Sequence, residues 1–338
     1  MSWAWSPDRL AGLGCLLAER GICRPEVSAV PVGDGHSNLT YLVSDGEHRV
    51  VVRRPPPPPV PAGAHDVVRE ARLVGALANT AVPVPRVLAV IEAGELLDVA
   101  LVVTEFVDGV VITDTTPAPL DEPTTRRAIA HSVIDTLADL HAVDWRGCGL
   151  DDFGRPAGFN ARHLRRVSAL VADDSGKLPV QFADLAAWLE QHTPPESGAA
   201  IVHNDFRLGN MMVARDQPGR VAAVLDWELA TIGDPLFDVG YFLSSYPVRG
   251  EPLTPTASMG TAVFEDGYPS RTELLTRYCE RAGADLTDVA WYSTLAQFKL
   301  AALYEYGRRR AGTRDGDPYY SDPALVASFL RAGEALTT

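Results

Sequence analysis

The run His203-Asn204-Asp205-Phe206-Arg207-Leu208-Gly209-Asn210, followed by the apolar stretch Val221 to Leu225 and then Asp226-Trp227-Glu228, decides how this chain is read. It presents a carboxylate, an amide and a second carboxylate in order, each near the end of an apolar run. Moving a phosphoryl group from ATP to a hydroxyl asks for such a set, because the protein mainly positions the reactants and neutralises charge. Asp205 is the candidate acceptor of the hydroxyl proton. Asn210 lies far enough on for the chain to turn and offer its amide oxygen to a magnesium ion beside the phosphates. Asp226 is the candidate charged metal ligand. Magnesium takes hard oxygen donors and keeps several waters, so one carboxylate, one amide and the ATP oxygens suffice without a His or Cys cluster.

The order HxDxxxxN, strand, hairpin, strand, Asp resembles the catalytic and metal loops of the protein-kinase-like fold. VHNDFRLGNMMV and AAVLDWELATIGDPLFDVGY resemble the aminoglycoside phosphotransferase and choline kinase family, especially the branch fused to acyl-CoA dehydrogenases. The resemblance runs from about Val27 to Arg310. It implies an α+β, protein-kinase-like bilobal fold. Residues 1–108 would form a nucleotide-binding lobe on an antiparallel sheet, and residues 109–338 a mostly helical lobe with the catalytic loop and acceptor-binding helices.

Around the central motif, His203 reads as a structural residue that hydrogen-bonds within its loop. In Gly233-Asp234-Pro235, a cap residue precedes a proline at the start of a helix, so Asp234 is expected to cap it. Asp238 lies one helical turn on, and the resemblance implies that it braces the catalytic loop by accepting backbone hydrogen bonds. Glu228 is left open between a third metal ligand and a surface carboxylate.

Upstream, Val27 to Val32 and Leu39 to Val43 are β-rich runs around Gly33-Asp34-Gly35-His36-Ser37-Asn38. Strand, glycine turn, strand suits a phosphate-covering flap, because glycines let backbone amides approach phosphates. Gly33, Gly35, Ser37 and Asn38 are therefore nucleotide-binding candidates. Asp45-Gly46 is expected to make a tight turn, both residues tolerating positive φ, into the strand Arg49 to Arg53. In the kinase-like fold a cation ends this strand and pairs with a glutamate on the next helix. Arg53 takes that place, with Arg54 as the fallback, and arginine is not interchangeable with the lysine of protein kinases. The helical pattern His65 to Ala78 sets Val68, Ala71, Arg72 and Gly75 near one another and offers Glu70 as the partner of Arg53. Pro55 to Pro59 cannot join a sheet and reads as a stiff connector. Val82 to Val90 and Leu97 to Val107 complete the lobe. The resemblance implies a hinge in which Glu105, Phe106 and Val107 meet adenine through their main chain.

Downstream, Pro123 to His141, Phe159 to Val171, Phe182 to Gln191 and Trp291 to Tyr306 carry helical patterns. His141 has no metal-binding partners in sequence and is read as a packed or capping histidine. Two arginine clusters stand out, Arg162, Arg165 and Arg166 in one helix and Arg308, Arg309 and Arg310 at the end of another. Basic side chains near a helix end suit its dipole. Either cluster also offers forked hydrogen bonds to an anionic group of an acceptor.

The chain has 338 residues, 46% of them hydrophobic, enough for a substantial core. A net charge of −14 disfavours nucleic acid and anionic membranes and suits a small-molecule acceptor. No apolar run nears the ~20 residues of a membrane span and Met1 to Leu10 lacks a signal-peptide pattern, so a cytoplasmic location is expected. Cys15, Cys23, Cys148 and Cys279 lack metal spacing and read as reduced thiols. The expected activity is ATP- and magnesium-dependent phosphorylation of a small-molecule hydroxyl, possible acceptors being a hydroxy acid, a hydroxyacyl-CoA, an aminoglycoside, another amino alcohol or a sugar. A catalytically silent nucleotide-binding module is the rival from another class. A protein kinase is disfavoured because no APE-like element follows Asp226.

Overall fold

A computed structural model describes residues 5–33, 38–56, 65–311 and 316–337. Gly35, Ser37 and Pro57 to Pro59 lie outside the described residues. The chain divides into two compact units, Met1–Asp108 with Ala223–Glu228, and Gly109–Ala222 with Leu229–Thr338. The short segment carrying Asp226 thus clusters with the first unit, not with the second as a cut at residue 108 would have it.

In the first unit, helix α1 (Pro7–Glu19) starts where Ser6 accepts the Arg9 N–H and Pro7 occupies the first turn. Strands β1 (Ser28–Pro31), β2 (Leu39–Ser44) and β3 (Arg49–Arg54) precede helix α2 (Val67–Leu77), which is followed by β4 (Val87–Ile91) and β5 (Leu101–Glu105). The sheet order is β1-β2-β3-β5-β4, antiparallel throughout. Leu13 and Leu17 of α1 share one core cluster with Tyr41, Val43, Val50, Val52 and Val103. Val67 and Ala71 of α2 pack with Val102 in another. Each fully buried aliphatic side chain contributes roughly 1.5–3 kcal/mol of apolar burial.

Several local readings change. Only Gly46 of the Asp45-Gly46 pair has positive φ. Asp45 instead builds a wider turn, its Oδ1 accepting the N–H groups of Glu47 and His48. On α2, Val68, Arg72 and Gly75 face solvent, whereas Glu70, Ala71, Val74 and Leu77 are buried. The strands expected over Val82 to Val90 and Leu97 to Val107 shrink to β4 and β5. Pro83 and Pro85, which lack an N–H, precede β4.

The second unit begins with β6 (Gly109–Val111) and helices α3 (Pro123–His141), α4 (Phe159–Ala169) and α5 (Val180–Gln191). Strands β7 (Ala200–Val202) and β8 (Met211–Ala214) flank the central motif, β9 (Val221–Val224) carries the chain towards Asp226, and β10 (Thr231–Gly233) follows. Five helices complete the unit, α6 (Leu236–Ser245), α7 (Pro255–Ser258), α8 (Arg271–Ala282), α9 (Val289–Ala311) and α10 (Pro323–Glu334). β7 pairs with β10, Val202 opposite Thr231, and β6 pairs with β8. Helix α9 packs against α6, α4, α5 and α10 and is buried almost all round from Trp291 to Ala302. At its crossing with α6, a Cβ on Gly240 would come within 2.5 Å of the Tyr292 carbonyl carbon, so glycine permits the close approach. No helix among the described residues is long and apolar enough to cross a membrane.

Candidate active site

In the first unit, alternation along β3 sends Val50, Val52 and Arg54 to one face and Arg53 to the other. Arg54 is buried beside Tyr41 and Trp5, with its guanidinium 5.6 Å from each ring. Arg53 reaches Glu70 of α2 at 2.6 Å and Asp226 at 3.3 Å. Arg53 is thus set among carboxylates. Glu70 is 8% exposed, so its carboxylate meets Arg53 away from bulk solvent. Burial pushes its carboxyl pKa up, Arg53 pulls it down, and the charges of Asp226 and Glu228 add to the rise.

Asp226 adopts φ +65, a left-handed conformation uncommon for a residue with a side chain. Glu228 is half-buried and accepts a hydrogen bond from Asn38 Nδ2 at 3.3 Å, which sets it within the Arg53 group. Buried polar atoms without partners collect on these residues: Asn38 Oδ1, Arg53 Nε and Glu70 Oε2. Native interiors rarely leave such atoms unpaired unless a ligand, ion or water completes them. Gly33 has φ +80 with open space where a Cβ would sit, a conformation glycine supplies at little cost. Phe106 and Val107 follow the end of β5. The Glu105 N–H is already donated to the Arg86 carbonyl, so its amide is not available to a base, and Phe106 lies under the Arg49 guanidinium.

In the second unit, β7 delivers His203, Asn204 and Asp205. Asp238 at the start of α6 accepts the N–H of His203 at 2.6 Å and of Asn204 at 2.8 Å. His203 is fully buried, and its Nδ1 accepts the Asp205 N–H at 3.2 Å. Asn204 has φ +66, and its side chain donates to the Leu229 carbonyl. Asn210 Nδ2 donates to both the Asp205 backbone carbonyl and Asp205 Oδ2, each at 2.8 Å. With the amide nitrogen committed in this way, the amide oxygen remains as the side chain's acceptor.

Asp205 also lies 3.5 Å from Arg207 Nε. Tyr241 of α6 hydrogen-bonds to it. Burial, then the charge of Asp205 and that hydrogen bond, raise the Tyr241 pKa well above its ordinary value, so the phenol stays a donor. Asp234 is fully buried and caps α6 through the Leu236 N–H, while Tyr292 and Ser197 donate to it. His141 is a packed histidine, bonded to the Tyr278 hydroxyl at 2.7 Å and 3.5 Å from Asp238.

The motif reading did not reach Lys299. It lies on α9, is 6% exposed, and donates from Nζ to the Asn204 carbonyl at 2.5 Å. Burial lowers its pKa to about 8, with Asp205 and Asp238 pulling the other way. Its signal in sequence was a charge inside an otherwise apolar helical pattern, in a chain whose only lysines are Lys177 and Lys299.

Among the described residues no group of three or more His, Cys, Asp or Glu side chains forms a metal cage. Magnesium bound through phosphates needs none, since one or two protein oxygens and water complete its shell. The carboxylate of Asp226 and the amide oxygen of Asn210 have the donor chemistry for that mode.

Residues 28–275 match the model of the phosphotransferase enzyme family. The chain belongs to that family. Acyl-CoA dehydrogenase family member 10 of Mus musculus is 31% identical over 282 residues, which cover 82% of this chain and 26% of that protein. The corresponding figures for acyl-CoA dehydrogenase family member 11 of Rattus norvegicus are 30% over 309 residues, 90% and 39%. The chain thus spans about a quarter to two fifths of these curated relatives. A solved structure from Ralstonia eutropha, described as a putative aminoglycoside phosphotransferase, superposes with a TM-score of 0.80 at 28% identity, covering 96% of this chain and 97% of that one. Aminoglycoside phosphotransferase APH(4)-Ia, in a ternary complex with AMP-PNP and hygromycin B, shares the fold at 18% identity, with a TM-score of 0.64 and coverage of 96% and 98%. The α+β, protein-kinase-like fold is that of these phosphotransferases.

Proposed function

We propose that this phosphotransferase moves the γ-phosphoryl group of ATP, with magnesium, to a hydroxyl of a hydroxy acid or hydroxyacyl-CoA. The observation that carries the reading is the double hydrogen bond from Asn210 into Asp205, which supports Asp205 as the base and the Asn210 amide oxygen as a metal ligand in one local unit. The AMP-PNP complex of the structural relative supports ATP as donor. The names of the curated relatives support an acyl acceptor, this chain matching part of proteins called acyl-CoA dehydrogenases. The aminoglycoside or amino-alcohol reading draws on the description of the Ralstonia structure.

Asp205 orients the acceptor hydroxyl and takes its proton as the oxygen attacks the γ-phosphorus and the bond to the ADP oxygen breaks. A carboxylate with a reference pKa near ~3.9 is a weak base at neutral pH, so the proton moves late. Arg207 and Tyr241 hold the carboxylate, and Asp238 and Lys299 hold its loop. Arg53, steadied by Glu70, binds the α- and β-phosphates. Asn210 and Asp226 are the residues that would hold magnesium, which would supply charge neutralisation at the phosphates. Gly33 and Asn38 are assigned to the phosphates, and Phe106 and Val107 to adenine. Four cysteines without disulfides support a cytoplasmic setting.

The test is magnesium-dependent ATP consumption against pooled hydroxy acids, hydroxyacyl-CoAs, aminoglycosides, amino alcohols and sugars, with Asp205→Asn as control. Stimulation by an acyl pool that disappears in the variant supports the reading. Stimulation by the aminoglycoside pool alone moves the acceptor to that class, and ATP binding without stimulated turnover overturns the catalytic assignment.

A further inference from the structure

The two arginine clusters are not equivalent. Arg308 and Arg309 share the carboxylate of Glu305 on α9, at 2.6 and 3.0 Å, and Arg310 lies over the Tyr306 ring, so this cluster's charge is partly compensated. The α4 cluster is different. Arg155, Arg162, Arg165 and Arg166 line a cavity of about 440 Å³ with Phe159 and Ile232 as apolar walls, and its lining contains no carboxylate. Arg162 is committed to the backbone carbonyls of Ala157 and Arg155. Arg155, Arg165 and Arg166 are exposed and form no ion pair among the described residues.

In a chain where acidic side chains outnumber basic ones by fourteen, an acid-free pocket of arginines is a deliberate concentration of positive charge. Like charges held together repel, and an anion relieves that cost. His163, which also lines the cavity, adds no charge. Burial, then the charges of Lys299 and Arg166, hold its imidazole pKa well below the ordinary value. A second cavity makes the contrast. At about 550 Å³ beside α8, it sets Arg281 among Glu196, Asp285 and Asp288.

We propose that the α4 pocket is a binding site for a phosphate monoester carried by a small ligand. Guanidinium forks match phosphate oxygens two at a time, and several together suit a dianion better than a single carboxylate. The concave shape and volume fit a small molecule. One wall is β10, where Thr231 and Ile232 pair with Val202 and Ile201, and the strand holding those two leads into His203 and Asp205. A ligand seated here rests against the framework of the catalytic loop. The inference stands on α4 and β10 and does not depend on the transfer reaction.

The test is calorimetric titration of the full chain with inorganic phosphate, without magnesium and in an Arg53→Ala background that removes phosphate binding by the nucleotide residues. Saturable binding should weaken at least about tenfold in Arg165→Ala/Arg166→Ala and persist in Arg331→Ala. Both pocket arginines are exposed, and a thermal melt verifies that the double variant folds. Adenosine 3′,5′-bisphosphate binding more tightly than inorganic phosphate, with adenosine alone not binding, would assign the site to a phosphate on a larger ligand. Equal affinities would overturn the monoester assignment and leave a site for free phosphate. Unchanged affinity in the double variant, no saturable binding by the parent protein, or equal binding of acetate would overturn the proposal.

Discussion

Lys299 Nζ donates to the Asn204 carbonyl at 2.5 Å, so a buried ammonium on a distant helix holds the residue before Asp205 in its left-handed conformation. Lys299→Met removes this hydrogen bond and the positive charge near Asp205. We expect kcat to fall about ten- to a hundredfold, with the KM for ATP nearly unchanged. The buried Asn204 carbonyl is left without this donor, at a cost of about 1–3 kcal/mol, so the melting temperature at pH 7 should fall. Steady-state kinetics and a melt on the same preparation check both parts.

The same lysine sets a pH dependence. Its folded pKa of about 8 lies below the ordinary lysine value of 10.5, so between these values the unfolded chain binds more protons and stability rises with pH. Its contribution is fully present above the unfolded pKa and lost as pH falls through the folded value. Activity should move the other way, declining above pH 8 as the charge near Asp205 disappears. Urea unfolding at pH 7.5 and 9.5, with and without Lys299→Met, should show this increment only in the parent chain.

Asp205→Asn should lower kcat by about 10² to 10⁴ while ATP still binds, because the base is lost and the Asn210 contact survives in altered form. Asp226→Ala should instead raise the magnesium requirement. Metal titrations of turnover for the two variants separate the roles.

Asp238 is fully buried and accepts two backbone amides, so Asp238→Ala strands both donors. Each unsatisfied buried group costs about 1–3 kcal/mol, and denaturant unfolding should show a loss of that order or larger together with low activity. Asp238→Asn, which keeps one acceptor oxygen, should lose less stability.

Arg53→Lys exchanges a fork for a point charge while keeping the charge opposite Glu70 and Asp226. The KM for ATP should rise about tenfold with the fold intact. Arg54→Lys should disturb the Trp5 and Tyr41 packing instead, lowering the melting temperature more than it alters that KM.

Much of this was legible in the chain itself. The spacing from His203 through Asn210 to Asp226, the β-rich runs before residue 108 and the helical periodicities after it carried the α+β, kinase-like fold, since turn geometry and hydrophobic period act over a few residues. Helix α1 lies outside the motif, although Ser6 and Pro7 mark its start and Leu10, Leu13 and Leu17 its inner face. Asp45 was read from the hairpin preference of its dipeptide, and its carboxylate, which caps the Glu47 and His48 amides, took the turn another way.

By itself the sequence determined the candidate base, the candidate metal ligands and the order of elements that present them. Only the tertiary structure decided that Arg53 rather than Arg54 meets Glu70, that Lys299 holds Asn204, that Glu228 accepts from Asn38, and that one arginine cluster shares a carboxylate while the other lines a cavity without one. The physical reason is range. A motif's chemistry is written in neighbouring residues, whereas the partner and solvent exposure of a charge depend on which distant segments pack against it and exclude water.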